Sequence, residues 1–373
     1  MDNRDRNVYR GEKALMTRHL LITGGCGFIG ANFAEYFTER GWAVTVLDNL
    51  SRKGAVENLL WLRERVPDVR FVHADIRTDD EVLRAYVRKT DAVFHLASQV
   101  AMTISFKSPR EDFATNALGT LNLLEAIRHE RVNPAFVYAS TNKVYGGMED
   151  IPVELTGSRY RYRDLALGIS EDRFLDFHSP YGCSKGAGDQ YTHDYAREFG
   201  LNTVVMRQSC IYGPRQYGIT DQGWISWFTV AASGGQPLTI YGDGKQVRDI
   251  LEVSDLARAY ELAVERIGTV RGQVFNIGGG PNNTMSLLEL INDLSRRLGR
   301  TISHSFADWR PGDQPCYVSD IRKAEALLGW TPHVMKDEGL DRLFRWVQDH
   351  LEEFRHLQIL EAPIPVRAAA GAI

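Results

Sequence analysis

A short apolar run, His19-Leu20-Leu21-Ile22-Thr23, passes directly into Gly24-Gly25-Cys26-Gly27-Phe28-Ile29-Gly30. Ala31 to Arg40 then reads as a helix closed by Gly41, and Ala43-Val44-Thr45-Val46-Leu47 as a second strand ending in Asp48. Strand, glycine turn, helix, strand and acid in that order form the dinucleotide-binding unit. Glycines at 24, 27 and 30 let the backbone approach a pyrophosphate where the N–H groups and dipole of a helix start favour anions. Asp48 is placed to accept hydrogen bonds from the adenosine ribose hydroxyls. A carboxylate there repels a 2′-phosphate, so the expected cofactor is NAD rather than NADP, with Arg52 and Lys53 as the nearest opposing charges.

The alternation continues. Arg70-Phe71-Val72-His73-Ala74 is a strand leading to Asp75-Ile76, an adenine contact by position. Ala92 to Ala97 is another, with Ser98-Gln99 at its carboxyl end, where cofactors sit in such sheets. Asn116 to Arg128 reads as a helix, Ala135 to Ala139 as a strand running into Ser140-Thr141-Asn142, Tyr181 to Phe199 as a helix and Asn202 to Arg207 as a strand. This pattern predicts an α/β fold, a doubly wound parallel sheet of Rossmann type. Past Arg207 the rhythm becomes irregular, with Gly213-Pro214-Arg215-Gln216 as a turn, Trp224 and Trp227 as core residues, and Ser286-Leu287-Leu288-Glu289 as a capping box opening a helix to Leu298. That predicts a smaller mixed α/β substrate-binding lobe closing over the carboxyl ends of the strands. The expected division is a disordered leader over 1–17, a NAD-binding domain mainly over 18–206, the lobe mainly over 207–355 with segments returning to the first domain around 236–265, and a loose tail over 356–373.

Composition narrows the partners. Of 373 residues, 43% are hydrophobic and 25% charged, enough for a sizeable core in a soluble protein. A net charge of -4 and a pI near 6.2 point away from nucleic acid and from anionic membrane surfaces. No apolar run approaches the roughly 20 residues that span a bilayer. Cys26, Cys183, Cys210 and Cys316 are scattered without a Cys-x-x-Cys pair, so neither a zinc site nor a disulfide framework is expected, and a reducing cytoplasm is the plain setting.

Tyr181 and Lys185 in Ser179-Pro180-Tyr181-Gly182-Cys183-Ser184-Lys185 are four positions apart, on one face of a helix. A phenol ionises near pH ~10. A nearby ammonium favours the phenolate, so Tyr181 is expected to take a proton from a substrate hydroxyl while the cofactor takes a hydride.

Thr23-Gly24-Gly25-Cys26-Gly27-Phe28-Ile29-Gly30, Asp48-Asn49-Leu50-Ser51, His95-Leu96-Ala97, Val144-Tyr145-Gly146, Tyr181-x-x-x-Lys185 and Tyr212-Gly213-Pro214-Arg215 together resemble an extended short-chain dehydrogenase/reductase of the nucleotide-sugar epimerase and dehydratase branch. The resemblance runs from about residue 18 to about 350. It implies a catalytic set of Thr141, Tyr181 and Lys185. It implies cofactor contacts at Gly24, Gly27, Phe28, Ile29 and Gly30, at Asp48, Asn49, Ser51, Asp75 and Ile76, and at Leu96, Ala97, Gln99, Asn116 and Ser140 as well as at Tyr181 and Lys185. For a nucleotide-diphosphate sugar it implies contacts from Thr141, Asn142 and Arg215, from Arg248 and Arg310 on the diphosphate, and from Asp313 on the nucleotide ribose. Cys210 departs from the branch, many members of which carry Asn there on a substrate phosphate. The helices over 116–128 and 181–199 resemble the pair that forms a four-helix dimer contact, implying a homodimer or homotetramer.

Ser140-Thr141-Asn142-Lys143-Val144-Tyr145-Gly146, the insert ending Gly168 to Asp172, Asp176 to Tyr181 and Asp221-Gln222-Gly223-Trp224 resemble most closely the CDP-tyvelose (CDP-paratose) 2-epimerase subfamily. That resemblance implies transient oxidation at C2 to a keto sugar and return of the hydride to the opposite face. A UDP-sugar 4-epimerase is the alternative. A 4,6-dehydratase is a weaker one, because dehydratases of this branch carry Asp-Glu where this chain has Asn142-Lys143.

Overall fold

A computed structural model describes residues 17–310 and 312–360. The expected leader over 1–17 therefore falls almost entirely outside the described residues, as does the tail from 361 onward.

β1 (His19–Thr23), β2 (Ala43–Asp48), β3 (Arg70–His73), β4 (Ala92–His95) and β5 (Ala135–Thr141) join Thr203–Gln208 and Val274–Ile277 in one seven-stranded parallel sheet. Its order is Val274–Ile277, Thr203–Gln208, β5, β4, β1, β2, β3. β4 and β5 are buried along their whole length and β1 from its second residue on. This is why they read as unbroken apolar runs: helices cover a parallel sheet on both faces. The strand order reverses between β1 and its neighbours β2 and β4. There Ile22 pairs with both Val46 and Phe94, and the turns leaving the three strands open one crevice at their carboxyl ends.

Packing beneath β1 and α1 (Phe28–Thr38) is aromatic. Phe33, Phe37, Phe94 and Tyr260 meet edge to face with ring centroids 4.9–6.1 Å apart. Tyr260 comes from the Val253–Glu265 helix, so part of this core arrives from late in the chain. The chain rejoins the sheet layer with Leu251–Glu252, that helix and the strand Val274–Ile277, whereas Leu238–Tyr241 pairs with His304–Ala307 in the second lobe. The return thus starts later and runs further than the 236–265 expected from the sequence, because Val274–Ile277 supplies the edge strand next to Thr203–Gln208.

The second lobe contains the three-stranded sheet Thr284–Ser286, Val247–Asp249 and Cys316–Tyr317, flanked by helices Trp224–Ser233, Leu287–Leu298 and Lys336–Asp349. The predicted capping box is formed: Ser286 accepts from the Glu289 N–H, and Glu289 accepts from the Ser286 N–H at 2.9 Å. Residues 146–178 strap the two parts together. Ile169 N donates to Val318 O at 2.8 Å, and the Glu171 carboxylate accepts the Asn276 N–H of the sheet's edge strand at 2.6 Å. The helix expected from Asn116 opens differently: Ala114–Leu118 forms a wide π turn before the α-helix Gly119–His129. A Cβ on Gly119 would stand 2.5 Å from the Ile76 side chain, so glycine permits the approach of this helix start to the strand-end loop.

Candidate active site

The crevice at the strand ends is a cleft of about 490 Å³. Its floor is the glycine turn. Gly24 has φ +70°, and a Cβ there would lie 2.6 Å from Ala97 N; a Cβ on Gly30 would lie 2.4 Å from Gly24 O. α1 starts behind Gly27 with no side-chain cap and no acidic residue in its first turn, so its first N–H groups face the cleft unclaimed by the protein's own side chains. Asp48 is fixed at the far wall: its carboxylate accepts Cys26 N at 3.0 Å and Leu50 N at 2.8 Å. Burial raises its pKa, and those two N–H groups and Arg52 oppose the rise. Asn49 donates to Asp75 at 3.0 Å, and Arg77 also holds Asp75, keeping that carboxyl well below its ordinary range. A glycine cradle, open helix N–H groups and a ribose-facing carboxylate fit a dinucleotide.

Gly24, Gly27, Phe28, Ile29, Gly30, Asp48, Asn49, Ser51, Asp75, Ile76, Leu96, Ala97, Gln99, Ser140, Tyr181 and Lys185 all line this cleft. Asn116 sits behind this cleft, and Arg215 lines its rim. Asn116 is buried behind the wall, where its amide oxygen accepts Gln99 N at 2.8 Å and Ser98 Oγ at 3.0 Å and its amide nitrogen donates to Ser184 Oγ at 3.0 Å. It braces the loop after β4 against the Tyr181 helix, and the π turn is what aims its side chain there. Arg215, expected on the substrate, lies on the rim of this cleft instead, its guanidinium over Trp61 at 4.8 Å and donating to Tyr217 Oη at 3.2 Å.

Helix Ser179–Glu198 carries Tyr181 and Lys185, both buried, one turn apart. Pro180 lies in its first turn, where the absent N–H costs no hydrogen bond. Lys185 Nζ donates to Ala139 O of β5 at 2.5 Å and sits 4.4 Å from the Tyr138 ring centre. Burial lowers its pKa to about 7, with Asp189 and Asp112 opposing. Tyr181 departs from the expectation. Burial pushes its phenol up to about 12; Thr141 and Arg52 pull the other way, and the Lys185 ammonium is turned to the β5 carbonyl. Desolvation of the phenolate outweighs the Thr141 hydrogen bond and the Arg52 charge.

Thr141 and Asn142 are buried at the end of β5, with Thr141 Oγ accepting Lys143 N at 3.2 Å. Arg248 and Asp313 form a second cluster with Lys143: Arg248 Nη2 donates to Asp313 Oδ1 at 2.5 Å, and Lys143 Nζ lies 3.7 Å from the same oxygen. Arg310 stands apart from that pair, stacked 4.1 Å over Tyr241 and donating to Thr220 O at 2.8 Å. Sequence reasoning missed Asp112, whose buried carboxylate accepts from Gln99 and Ser184 beneath Tyr181. It also missed Asp189, which accepts from Ser140 Oγ at 2.6 Å. Helix periodicity would have marked both as buried polar positions, without saying what they hold.

The sequence profile of the NAD dependent epimerase/dehydratase family matches residues 20–278. The chain belongs to that family. Its cofactor is NAD, and the epimerases among its relatives are isomerases. The CDP-paratose 2-epimerase of Salmonella typhi is 46% identical over 333 residues, 88% of this chain and 98% of that protein. The solved UDP-glucose 4-epimerase of Thermotoga maritima with UDP-glucose is 33% identical at a TM-score of 0.77, covering 89% of this chain and 99% of the other. A dTDP-glucose 4,6-dehydratase from Streptomyces venezuelae, solved with NAD bound, is 30% identical at 0.78, covering 91% and 99%. Among the described residues no helix is long and apolar enough to cross a membrane.

Proposed function

We propose that this family member inverts C2 of a CDP-linked deoxy sugar of the paratose/tyvelose type. The observation that carries the reading is the 46% identity to a CDP-paratose 2-epimerase over 88% of this chain and 98% of that protein. Asn142 and Lys143 directly after Thr141 support it, because neither is the carboxylic acid that elimination of water needs.

A hydrogen on a carbinol carbon is barely acidic, so inversion needs it removed as hydride. The glycine turn, α1 and Asp48 would hold NAD, which would supply the hydride acceptor and donor and a positively charged ring that favours the Tyr181 phenolate. Thr141 holds the reacting hydroxyl by a hydrogen bond. Tyr181 Oη takes the hydroxyl proton as the C2–H bond breaks, and gives it back when the 2-keto sugar has presented its other face. Lys185 anchors the helix to β5, and its amine beside the Tyr138 ring, brought by burial to a pKa of about 7, puts positive charge under the reacting centre when protonated. Arg248 and Arg310 take the substrate diphosphate, and Asp313 the nucleotide ribose. The helices Gly119–His129 and Ser179–Glu198 assemble the chain as a homodimer or homotetramer, and the four free cysteines support a cytoplasmic setting.

Incubation with CDP-, UDP-, GDP- and dTDP-sugars, read by NMR for configuration at each carbon, tests the assignment. Inversion at C2 of a CDP-sugar is expected. Inversion at C4 of a UDP-sugar would move the function to the 4-epimerase that the relatives at 31% and 33% identity represent.

A further inference from the structure

Lys143 has no role in the chemistry above, yet its position is unusual. It stands two residues beyond Thr141 in the short 3₁₀ turn Asn142–Tyr145, whose start is fixed by the Thr141 hydroxyl. The turn carries its side chain away from Tyr181 and into the second lobe, where only about a fifth of it (21%) stays exposed. There Lys143 Nζ and Arg248 Nη2 converge on one oxygen of Asp313, at 3.7 and 2.5 Å. The neighbouring carboxylate, Asp249, projects from the opposite side of the Val247–Asp249 strand and is taken up by Ser209 Oγ, Ser319 N and Gly280 N. Two cations therefore share one carboxylate in a mostly desolvated pocket, and one positive charge is left over. Leaving that charge unpaired is costly, so the pocket is built for a further anion.

The adjoining wall repeats the sign. Trp224 Nε1 is a buried N–H that has only the weakly accepting Cys210 thiol before it. Cys210 has φ +34°, a strained conformation for a residue with a Cβ, held by Leu251 N donating to its carbonyl oxygen at 3.2 Å. The same thiol and Arg248 are the near neighbours of the Lys143 ammonium. A weakly paired donor and two basic side chains thus surround one thiol beside Arg248.

The structure assigns Lys143 as a phosphate ligand of the nucleotide-sugar diphosphate, completing with Arg248 a two-cation clamp in which Asp313 is the internal counter-ion that holds both side chains in place. The assignment rests on the nucleotide-sugar reading above and deepens it: it names the side chain that supplies phosphate recognition where position 210, a cysteine, offers only a weak donor. It also gives the Thr141–Lys143 turn a double task, positioning the sugar hydroxyl at one end and the diphosphate at the other.

Calorimetric titration of the NAD-containing protein with CDP, and separately with cytidine, tests it. Lys143→Gln should weaken CDP about 10- to 100-fold, the usual range for one charge-assisted hydrogen bond to phosphate, and leave cytidine unchanged. Lys143→Arg, which keeps the charge, should restore CDP binding to within about threefold. Retained NAD and an unchanged unfolding temperature report that each variant is folded. CDP affinity unaltered in both variants would overturn the assignment, all the more if turnover fell, since Lys143 would then act on the sugar. Absence of CDP, UDP, GDP and dTDP binding by the unmodified protein would overturn the nucleotide-sugar reading, and the assignment with it.

Discussion

Asp189, on the helix that carries Tyr181, forms a two-pronged ion pair with Arg207 of the Thr203–Gln208 strand. Arg207 Nε and Nη2 donate to the two carboxylate oxygens at 2.9 and 3.0 Å, with side-chain exposures of 5% and 0%. Ser140 Oγ donates to the same carboxylate at 2.6 Å, and Arg207 Nη1 reaches Tyr145 Oη at 3.0 Å, which itself donates to Asn276 at 2.7 Å. One buried network therefore ties the Tyr181 helix to β5, to Thr203–Gln208 and to the edge strand. It sets the height of Tyr181 and Lys185 over the cleft.

Removing one partner of such a pair strands the other charge. Asp189→Ala should lower stability by about 3–5 kcal/mol, read from urea unfolding of the NAD-containing protein. Asp189→Leu combined with Arg207→Met should recover most of the loss, because no buried charge remains. If the single variant cost under about 1 kcal/mol, the network would not be what holds the helix.

Tyr181→Phe should keep NAD bound and reduce turnover by ~100- to 10,000-fold, because only the proton acceptor is lost. With the unmodified protein, a substrate deuterated at C2 should give inverted product with the label retained, and reaction in deuterated water should add none at C2. Label exchanged with solvent would point to proton abstraction and overturn the hydride route.

Lys185 carries a sign that can be checked. Its pKa is about 7 in the folded chain against 10.5 ordinarily, so the unfolded chain binds a proton there that the folded chain lacks between about pH 7 and 10.5. Its contribution to stability therefore rises with pH across that window and is least favourable below it. Lys185→Met should remove this rise, so the unfolding free energy of the variant minus that of the unmodified protein should fall steadily from about pH 7 to 9.5. A flat difference would mean the ammonium is not desolvated as its burial implies.

A methyl group at Gly30 would stand 2.4 Å from Gly24 O, and both atoms belong to backbone that cannot yield without opening the glycine turn. Gly30→Ala should leave the purified protein with far less than stoichiometric NAD after heat denaturation, where the unmodified protein releases nearly one NAD per chain. Full NAD content in Gly30→Ala, or release of mainly NADP from the unmodified protein, would refute the cradle and the Asp48 argument respectively.

Phe113, Leu118, Tyr191 and Phe199 are exposed on the mutually packed helical segments that follow β4 and carry Tyr181. Apolar side chains left exposed there support the proposed assembly. Light scattering at micromolar concentration should give at least twice the monomer mass of 42.1 kDa, and Phe113→Glu with Phe199→Glu should shift it toward monomer. A clean monomer in the unmodified protein would contradict the proposed assembly.

What the sequence by itself determined is the local part. The strand, glycine and helix periods of residues 19–48 dictated the parallel sheet, the phosphate-facing turn and the acid at its far wall, because each depends on neighbours within a few positions. The spacing of Tyr181 and Lys185 likewise placed them on one helix face, and Ser286 with Glu289 gave the capping box. What only the tertiary structure decided is everything set by contacts between distant segments. Asn116 became a brace rather than a wall residue because a π turn, allowed by the close pass of Gly119 over Ile76, aimed it at the loop after β4. Arg215 is held at the rim of the cleft by Trp61 and Trp346, which lie beside its guanidinium. Lys143, Arg248 and Asp313 meet although 65 residues separate even the last two. Burial, a property of the packed whole, raises the Tyr181 phenol, and the Lys185 ammonium one helical turn away is committed to the Ala139 carbonyl.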